Sequence, residues 1–264
     1  NDSGLEIVDT SNPAAPVRRS FFLTQNQAAW LSLSANRAYV SDQIIDINTP
    51  TSPQLLGTIL GSTLSIYNAK VVASGSTAYQ VGYRYSTSDK PSLSIVDYAN
   101  PSTPVARSAI NTSTMIGSHL GQDVAIRGNR AYVVQEDAGI SVVDITSLST
   151  PLLRGTLSGI GYCRSVKVSA DGNYVVIAAR EGGLKIVNVQ NPDAPTLVAT
   201  YLAGSSILGV EVVGNLAFAA ASVNGIHVID IADPSQPTLI RSYDTPWSAF
   251  DIAVSGDYVF VADG

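Results

Sequence analysis

The sequence is poor in the residues that build covalent and metal cross-links. Its 264 residues include one cysteine, one methionine and two histidines. The single cysteine, Cys163, excludes an internal disulfide and is predicted to be a small packing residue. No group of His and Cys has the spacing of a zinc site. The sequence therefore predicts neither a disulfide framework nor a zinc centre.

Charge and long apolar runs are also scarce. Charged residues make up 14% of the sequence, and 21 acidic residues against 15 basic ones give a net charge of −6. Because no cluster of Lys and Arg offsets this charge, no nucleic-acid partner is expected. No apolar run approaches the roughly 18 residues of a transmembrane helix, so no membrane insertion is expected either.

The sequence is rich in apolar and small polar residues. Hydrophobic residues make up 45% of the chain, which is enough core material to exclude a disordered protein. The low lysine content and the many Ser, Thr and Asn residues favour an exported protein that is extracellular or at the cell surface. Composition gives no indication of the oligomeric state.

A five-residue phrase recurs six times along the chain. Each copy is dominated by Leu, Ile and Val and ends in Asp or, once, in Asn. The copies are Leu5–Asp9, Asp42–Asp46, Leu93–Asp97, Ile140–Asp144, Leu184–Asn188 and Ile226–Asp230. A carboxylate at that point can accept hydrogen bonds from backbone amides two residues on, so the recurring Asp predicts a tight turn rather than a functional site.

Each copy belongs to a unit of four short apolar segments separated by turn residues, which predicts four strands. The units recur about every 44 residues, a period typical of a β-propeller blade. Six units fill residues 1–264 as a single domain and predict an all-β, six-bladed β-propeller with four antiparallel strands per blade. The last blade is predicted to form from residues 249–264 together with residues 1–23, so that strands from both termini close the ring.

The phrase Leu-x-Ile-Val-Asp followed by Asn-Pro, as in Leu93–Asp97 and Asn100-Pro101, resembles the LVIVD-repeat family. The resemblance covers all six units, although Leu148 interrupts the fourth turn and the loop before the second copy is very short. It implies a propeller found largely in bacterial and archaeal surface or exported proteins. It implies no particular reaction, because the phrase marks blades rather than a site.

Function is expected where equivalent positions of the repeats differ. The loops that join the second strand to the third, and each unit to the next, vary most and share one face, which we call the loop face. This face carries aromatic and Arg side chains of the kind that dominate binding hot spots. They are Trp30, Tyr67, Tyr83, Arg84, Tyr85, Trp247 and Phe250. They predict a non-catalytic recognition or adhesion module for a glycan or protein partner, unless Trp30 and Phe250 merely plug the channel.

An enzyme is the first alternative. Asp123 and Asp251 head the first strands of the third and sixth units, which face each other in a six-bladed ring. Two carboxylates at the channel mouth, assisted by Lys70 or His119, predict a hydrolase or lyase that uses them as acid and base. Lys70 lies on the unit beside Asp123 and can instead pair with it. An architectural domain of a larger surface protein is the second alternative.

No metal or cofactor is predicted. Oxygen ligands for calcium occur at Asp2, at Asp263 and in the Glu136-Asp137 loop, which leaves calcium as the one metal to consider. No loop has an EF-hand pattern.

Overall fold

A computed structural model describes residues 4–25, 30–41, 43–58, 67–83, 92–112, 121–202 and 204–264, with the backbone alone for 67–69 and 83. The chain divides into two compact units, Asn1–Ile110 and Asn111–Gly264. Regular structure in these ranges is β-strand. They contain no helix that is long and apolar enough to cross a membrane.

The described part of the first unit contains one two-stranded and two four-stranded antiparallel sheets. The two-stranded sheet, which we call the N-terminal pair, consists of β1 (Gly4–Asp9) and β2 (Val17–Leu23). Sheet 1 consists of β3 (Leu31–Ser34), β4 (Arg37–Val40), β5 (Gln43–Asp46) and β6 (Gln54–Thr58). Sheet 2 consists of β7 (Tyr67–Ser74), β8 (Thr77–Tyr83), β9 (Leu93–Asp97) and β10 (Val105–Ile110).

The second unit, over its described ranges, contains three four-stranded sheets and one two-stranded sheet. Sheet 3 consists of β11 (Gly121–Arg127), β12 (Arg130–Gln135), β13 (Gly139–Asp144) and β14 (Leu152–Leu157). Sheet 4 consists of β15 (Ser165–Val168), β16 (Tyr174–Ala178), β17 (Leu184–Asn188) and β18 (Thr196–Tyr201). Sheet 5 consists of β19 (Gly209–Val213), β20 (Leu216–Ala220), β21 (Ile226–Asp230) and β22 (Thr238–Tyr243). The C-terminal pair consists of β23 (Ala249–Ser255) and β24 (Tyr258–Asp263).

Each four-stranded sheet is a meander in which strands adjacent in the chain are adjacent in the sheet. The recurring phrase forms the third strand of every one of them and forms β1 in the N-terminal pair. Third strands are inner strands with both faces covered, and Leu93, Ile95 and Val96 of β9 are fully buried. Fourth strands lie outside, and β22 is exposed along its whole length. The prediction of an all-β chain of four-stranded antiparallel sheets is confirmed.

The residue that ends each copy of the phrase starts a turn, as the sequence predicts. Its side-chain oxygen accepts a hydrogen bond from the backbone amide two residues on, which stabilises the turn locally. The donor–acceptor pairs are Ser11–Asp9, Asn48–Asp46, Ala99–Asp97, Thr146–Asp144, Gln190–Asn188 and Ala232–Asp230, at 2.8 to 3.0 Å.

These turns also pack against the preceding sheet. Gly57 of β6 lies so close to sheet 2 that a Cβ there would be 1.8 Å from the Pro101 carbonyl oxygen. Gly155 of β14 lies equally close to sheet 4, since a Cβ there would be 2.5 Å from the Pro192 carbonyl oxygen. A glycine in the fourth strand therefore makes room for the next turn.

The hydrophobic core lies between successive sheets. Tyr132 and Val142 of sheet 3 pack with Val166, Val175 and Ile177 of sheet 4 in one buried cluster. Corresponding clusters join sheets 4 and 5, and sheets 1 and 2. Within each unit, consecutive sheets thus pack face to face and bury the apolar side chains of their inner strands.

Candidate functional site

Three loops of the second unit repeat one strained backbone position. Glu136, Arg180 and Ser222 each follow the second strand of their sheet, and each has a positive φ, of 26°, 44° and 49°. Each also forms an isolated bridge to the residues that lead into the next sheet. The bridges are Glu136–Cys163, Arg180–Ile207 and Ser222–Ala249.

A left-handed backbone costs a non-glycine residue about 1–2 kcal/mol. In these loops the bridges stabilise the left-handed conformation through backbone hydrogen bonds. One of them runs from Cys163 N to Glu136 O at 2.9 Å. Cys163 itself is buried, and burial raises the pKa of its thiol to about 12, in agreement with the predicted packing role. The backbone conformation is thus the same in the three loops, whereas the side chain at this position is Glu, Arg or Ser. A constant backbone that carries different side chains is the pattern expected of a functional site.

Glu136 is held by two neighbours. The Tyr162 hydroxyl donates a hydrogen bond to Glu136 Oε1 at 2.8 Å, and Gln122 Nε2 donates to the same oxygen at 3.2 Å. Burial, followed by the hydrogen bond to Glu136, raises the pKa of Tyr162 to about 12. The phenol therefore stays protonated at neutral pH and acts as a donor.

Two arginines complete this cluster. The Arg180 guanidinium lies over the Tyr162 ring, 4.2 Å from its centroid, and its Nε is buried with no hydrogen-bond partner in the described structure. Burial and the charge of Arg180 lower the pKa of Arg164, while Asp251 and Tyr162 act in the opposite direction. The two guanidinium groups are therefore close enough to influence each other electrostatically.

Neither guanidinium forms an ion pair with a described residue. Within the described ranges, no carboxylate oxygen lies within 4.0 Å of Arg164 or Arg180. Lys167 differs, since its Nζ lies 2.8 Å from Glu211 Oε2. Burial acts to lower the pKa of Lys167, but Glu211, with help from Asp123 and Asp251, outweighs it and the pKa is raised. Carboxylates do lie within electrostatic reach of the arginines, Asp251 of Arg164 and Glu181 of Arg180, but none of them forms an ion pair with either guanidinium in the described residues.

Asp251 is an exposed carboxylate near Arg164. Its Oδ1 accepts a hydrogen bond from the amide of Ile252 at 3.0 Å. A Cβ on Gly209 of β19 would lie 2.6 Å from the same oxygen. The missing side chain at Gly209 therefore provides the space that the carboxylate occupies.

Asp123 occupies the equivalent position in sheet 3 but in a different environment. It is 2% exposed. Its Oδ2 accepts hydrogen bonds from Ser165 Oγ and Val166 N, both at 3.0 Å, and its Oδ1 accepts one from Val124 N at 2.8 Å. The carboxylate thereby joins sheet 3 to the first strand of sheet 4. A catalytic role for Asp123 stays a prediction.

We expect Asp123→Ala to lower the free energy of unfolding by about 2–3 kcal/mol, because it leaves buried donors of sheet 4 without an acceptor. Asp251→Ala is the matched control at the equivalent, exposed position, and a loss within about 0.5 kcal/mol is expected there. Urea unfolding of both variants at neutral pH measures the difference. Equal midpoints would contradict the linking role of Asp123.

The predicted aromatic residues of the first unit are only partly described. Trp30 is half-buried, and Lys70 Nζ lies 5.4 Å from the centroid of its ring. The backbones of Tyr67 and Tyr83 are paired across β7 and β8. Arg84, Tyr85 and His119 lie outside the described residues.

In the second unit, Trp247 is 71% exposed and Phe250 is also exposed. The backbone amide of Trp247 donates to both carboxylate oxygens of Asp263, each at 3.2 Å. Ligand binding by these residues stays a prediction. The described residues contain no group of three or more His, Cys, Asp or Glu side chains arranged to hold a metal ion.

Sequence reasoning missed the arginine cluster. Arg164, Arg180 and Tyr162 match no motif, although Arg164 and Arg180 lie at the open end of the hairpin of β15 and β16, where Arg164 N donates to Ala178 O at 2.8 Å. One signal was available. Glu136, Arg180 and Ser222 occupy the same position of three successive repeats, six residues after the start of the second strand, and differ completely in chemistry.

The sequence matches the LVIVD repeat family in seven segments. They are residues 1–24, 27–60, 82–112, 121–158, 160–203, 206–245 and 248–264. The chain belongs to the LVIVD repeat family. The predicted resemblance is confirmed. The sequence of this LVIVD-repeat protein has no match among curated proteins.

Several solved structures resemble it. A putative 6-phosphogluconolactonase from Bacteroides fragilis has a TM-score of 0.79 at 13% identity, covering 100% of this chain and 84% of its own. The periplasmic gluconolactonase of Pseudomonas aeruginosa has a TM-score of 0.79 at 11% identity, covering 100% and 86%. The β-propeller domain of Cps50 from Myceliophteria thermophila has a TM-score of 0.62 at 11% identity, covering 89% and 80%. At these identities the likeness establishes a propeller-like fold.

These findings correct the prediction of a non-catalytic recognition or adhesion module. Two of the similar propellers are named for a hydrolytic activity, which favours the alternative of a hydrolase. The described part of the loop face gives the physical reason. It contains a cluster of guanidinium, phenol and carboxylate groups, which are functional groups of acid–base and electrostatic catalysis.

Proposed function

We propose that this LVIVD-repeat protein is a hydrolase that opens a small anionic ester, with the lactone of a sugar acid as the substrate class. The observation that carries the proposal is the pair of guanidinium groups of Arg164 and Arg180, which lie within electrostatic reach of each other without an ion-pair partner in the described residues. Two adjacent, partly buried cations favour an anionic ligand, because a carboxylate or phosphate satisfies both.

The cluster holds Arg180 in a fixed orientation. The guanidinium stacks on the Tyr162 ring, and Glu136 and its partner Gln122 hold the Tyr162 hydroxyl. A preorganised cation of this kind stabilises negative charge that develops on a carbonyl oxygen during ester hydrolysis. Tyr162, Glu136 and Gln122 are therefore positioning residues in this proposal, and Arg164 and Arg180 contact the substrate.

Asp251 is the proposed general base. Its carboxylate is exposed and lies near Arg164. It takes a proton from water while the water oxygen attacks the ester carbonyl carbon, and the arginines stabilise the resulting oxyanion. The ring C–O bond then breaks, and the proton passes from Asp251 to the departing oxygen. One water is consumed, and the products are a carboxylic acid and a hydroxyl group.

The names of two similar structures support this substrate class, since one is called a putative 6-phosphogluconolactonase and the other a gluconolactonase. Their identities of 13% and 11% are too low to transfer an activity, so the arginine cluster remains the main argument. One of them is named as periplasmic. That name agrees with our proposal that this protein is exported.

The test is hydrolysis of D-glucono-1,5-lactone and of its 6-phosphate, followed by acid release and corrected for the spontaneous reaction. We expect Asp251→Asn to lower kcat/KM by about 100-fold, as loss of a general base does. Arg180→Met is expected to lower kcat/KM by about 100-fold as well, because it removes a charge-assisted contact to the oxyanion or phosphate.

Arg241→Met is the matched control, because Arg241 also lies over an aromatic ring, that of Tyr243, at 5.2 Å, but on the outer strand β22. This variant should retain full activity. If neither lactone is turned over faster than in buffer, or if all three variants match the parent protein, the lactonase proposal is wrong.

We also infer that the chain closes into a six-bladed ring as a single domain, residues 1–264. The C-terminal pair supplies the first and second strands of a blade, and the N-terminal pair supplies the third and fourth. In the C-terminal pair, Val259 is 38% exposed. The equivalent residues of sheets 1 to 5 each pair with a residue of the third strand and are all 0% exposed. They are Ala38, Ala78, Ala131, Val175 and Ala217. The N-terminal pair, in turn, has the third-strand phrase without a second strand.

Both pairs have the neighbours that a closing blade requires. Ser20 Oγ of the N-terminal pair donates a hydrogen bond to the Pro50 carbonyl of sheet 1 at 2.6 Å. This contact occupies the place that Gly57 and Pro101 occupy between sheets 1 and 2. The C-terminal pair packs on sheet 5 through Asp251 and Gly209. The first and last family segments, at residues 1–24 and 248–264, are also partial.

A further inference from the structure

The turns that join the first and second strands, and the third and fourth strands, lie at the ends of the sheets away from the loop face. We call this side the turn face, and we define it by residues 127–130, 144–151, 169–174, 188–195, 213–216 and 230–237 of sheets 3 to 5. Arginines connect neighbouring sheets here. Arg130 of sheet 3 donates from Nη1 to the Val189 carbonyl of sheet 4 at 3.1 Å. Arg37 of sheet 1 donates in the same way to the Tyr98 carbonyl of sheet 2 at 3.2 Å.

These two arginines are equivalent in register. Arg37 and Arg130 each begin a second strand and pair with the Asp that ends the third strand of the same sheet. Their acceptors, Tyr98 and Val189, each follow the residue that ends the third strand of the next sheet. A guanidinium group from one sheet thus fills the gap to the carbonyl of the next.

A second arginine joins sheets 3 and 4 at the same place. Arg127 donates from Nη1 to the Ser169 carbonyl at 3.2 Å and from Nη2 to the Ala170 carbonyl. The interface between sheets 3 and 4 is therefore filled on the turn face by two guanidinium groups and the carbonyl oxygens that accept from them.

Between sheets 4 and 5 both arginines are missing. Tyr174 begins the second strand of sheet 4 and pairs with Asn188, so it stands where Arg130 stands in sheet 3. Ser169 stands where Arg127 stands, since its amide donates to Tyr174 O at 2.9 Å. The equivalent acceptor positions in sheet 5 are Val213, Gly214 and Ile231, of which Gly214 and Ile231 line the cavity described next.

A cavity of about 230 Å³ occupies this interface, and Ser169, Tyr174, Gly214 and Ile231 line it. Asp171 also lines it, and no Lys, Arg or His does. Hydrogen bonds from Ser169 Oγ and from the Asn173 amide and side chain lower the pKa of Asp171, so the group is ionised at neutral pH. The cavity is apolar inside, where Val176 and Ile186 line it, and negative at the turn that carries Asp171.

We propose that this cavity is a binding site for the guanidinium group of an arginine side chain from a partner polypeptide. The chain itself places a guanidinium at the equivalent position of two other interfaces. The carbonyl positions that accept from it recur here, and Asp171 adds a charge that favours a cation. An arginine within a polypeptide fits better than the free amino acid, because Asp171 repels a free carboxylate. The site is distinct from the lactonase site, which lies on the loop face.

The probes are N-acetylarginine methylamide and N-acetylcitrulline methylamide, which have the same shape but differ in charge. Each is titrated into the 264-residue protein while the backbone amide signals of Gly214 and Asn215 are followed by NMR. We expect the arginine compound to bind at least about tenfold more tightly than citrulline, because charge-assisted hydrogen bonds are about twice as strong as neutral ones.

Tyr174→Arg is the decisive variant. Its own guanidinium should fill the cavity as Arg130 does in sheet 3, so binding of the arginine compound should be lost while the melting temperature rises. Tyr174→Phe keeps the cavity and should keep the binding. Equal affinity for the two probes, or undiminished binding by a folded Tyr174→Arg variant, would overturn the proposal. If free arginine binds as tightly as the blocked compound, the inference of a polypeptide partner is wrong.

Discussion

Deletion of residues 1–20 is expected to abolish the cooperative unfolding transition of the chain. The deletion removes β1 and most of β2, which are the third and fourth strands of the closing blade in our proposal. Val259 and its neighbours in β24 would then lie on an uncovered edge, and the ring would be open. Thermal unfolding followed by circular dichroism and by tryptophan fluorescence measures the effect. A truncated chain that melts like the full one would contradict the closed ring.

A circular permutant provides the matched control for this deletion. A direct peptide bond from Gly264 to Asn1 leaves four residues between β24 and β1, close to the five residues between β16 and β17. New termini are placed between residues 26 and 29, where one sequence repeat ends and the next begins. Because the join makes the four strands of the proposed closing blade consecutive in the chain, the permutant should melt cooperatively at a temperature close to that of the parent protein. Failure to fold would mean that the ends are not adjacent.

Gly225→Ala is expected to lower the free energy of unfolding by at least about 4 kcal/mol. Gly225 precedes the third strand of sheet 5 with a φ of +68°, and a Cβ there would be 2.1 Å from the Tyr243 carbonyl oxygen. The clash is with backbone, so no side-chain rotation relieves it. Gly139 and Gly183 occupy the same position in sheets 3 and 4, with Cβ distances of 2.1 and 2.4 Å to carbonyl oxygens.

Gly214→Ala, in the same sheet, separates the two causes of this loss. Gly214 has a φ of +57°, but a Cβ there would meet nothing within 4 Å. Only the cost of the left-handed backbone applies, about 1 kcal/mol. Urea unfolding of both variants measures the difference. Similar losses for the two would mean that the approach of the fourth strand to Gly225 contributes nothing.

The sheets and their turns could be predicted from the sequence because their determinants are local. Alternation of apolar residues sets each strand, and the Asp or Asn that ends each third strand makes its turn through an amide only two residues away. The strand pattern of a single repeat is weak evidence, but its recurrence in six repeats makes the prediction strong. The role of Gly57 and Gly155 could not be predicted from the sequence, because it depends on contact with the next sheet rather than on their own strand.

The candidate site could be predicted only in part. Asp251 was identified from its position at the head of a first strand. Asp123 has the same position, but it is buried because Ser165 and Val166 of the next sheet supply donors to it. Arg164 and Arg180 flank the hairpin of β15 and β16, so their proximity follows from its pairing, whereas the contact of Tyr162 with Glu136 depends on the packing of sheet 4 against sheet 3. Without the fold, neither the contact of Tyr162 with Glu136 nor the lack of ion-pair partners among the described residues could be foreseen.

The proposed division of the closing blade between β1, β2 and β23, β24 bears on synthesis in the cell. The ribosome makes β1 and β2 first and their proposed partners β23 and β24 last. At roughly 5–20 residues per second, tens of seconds separate the two events. During that time the N-terminal pair presents an unpaired strand edge and the exposed side chains of Val17 and Leu23. The strands that are made first are therefore the ones that a chaperone must protect longest.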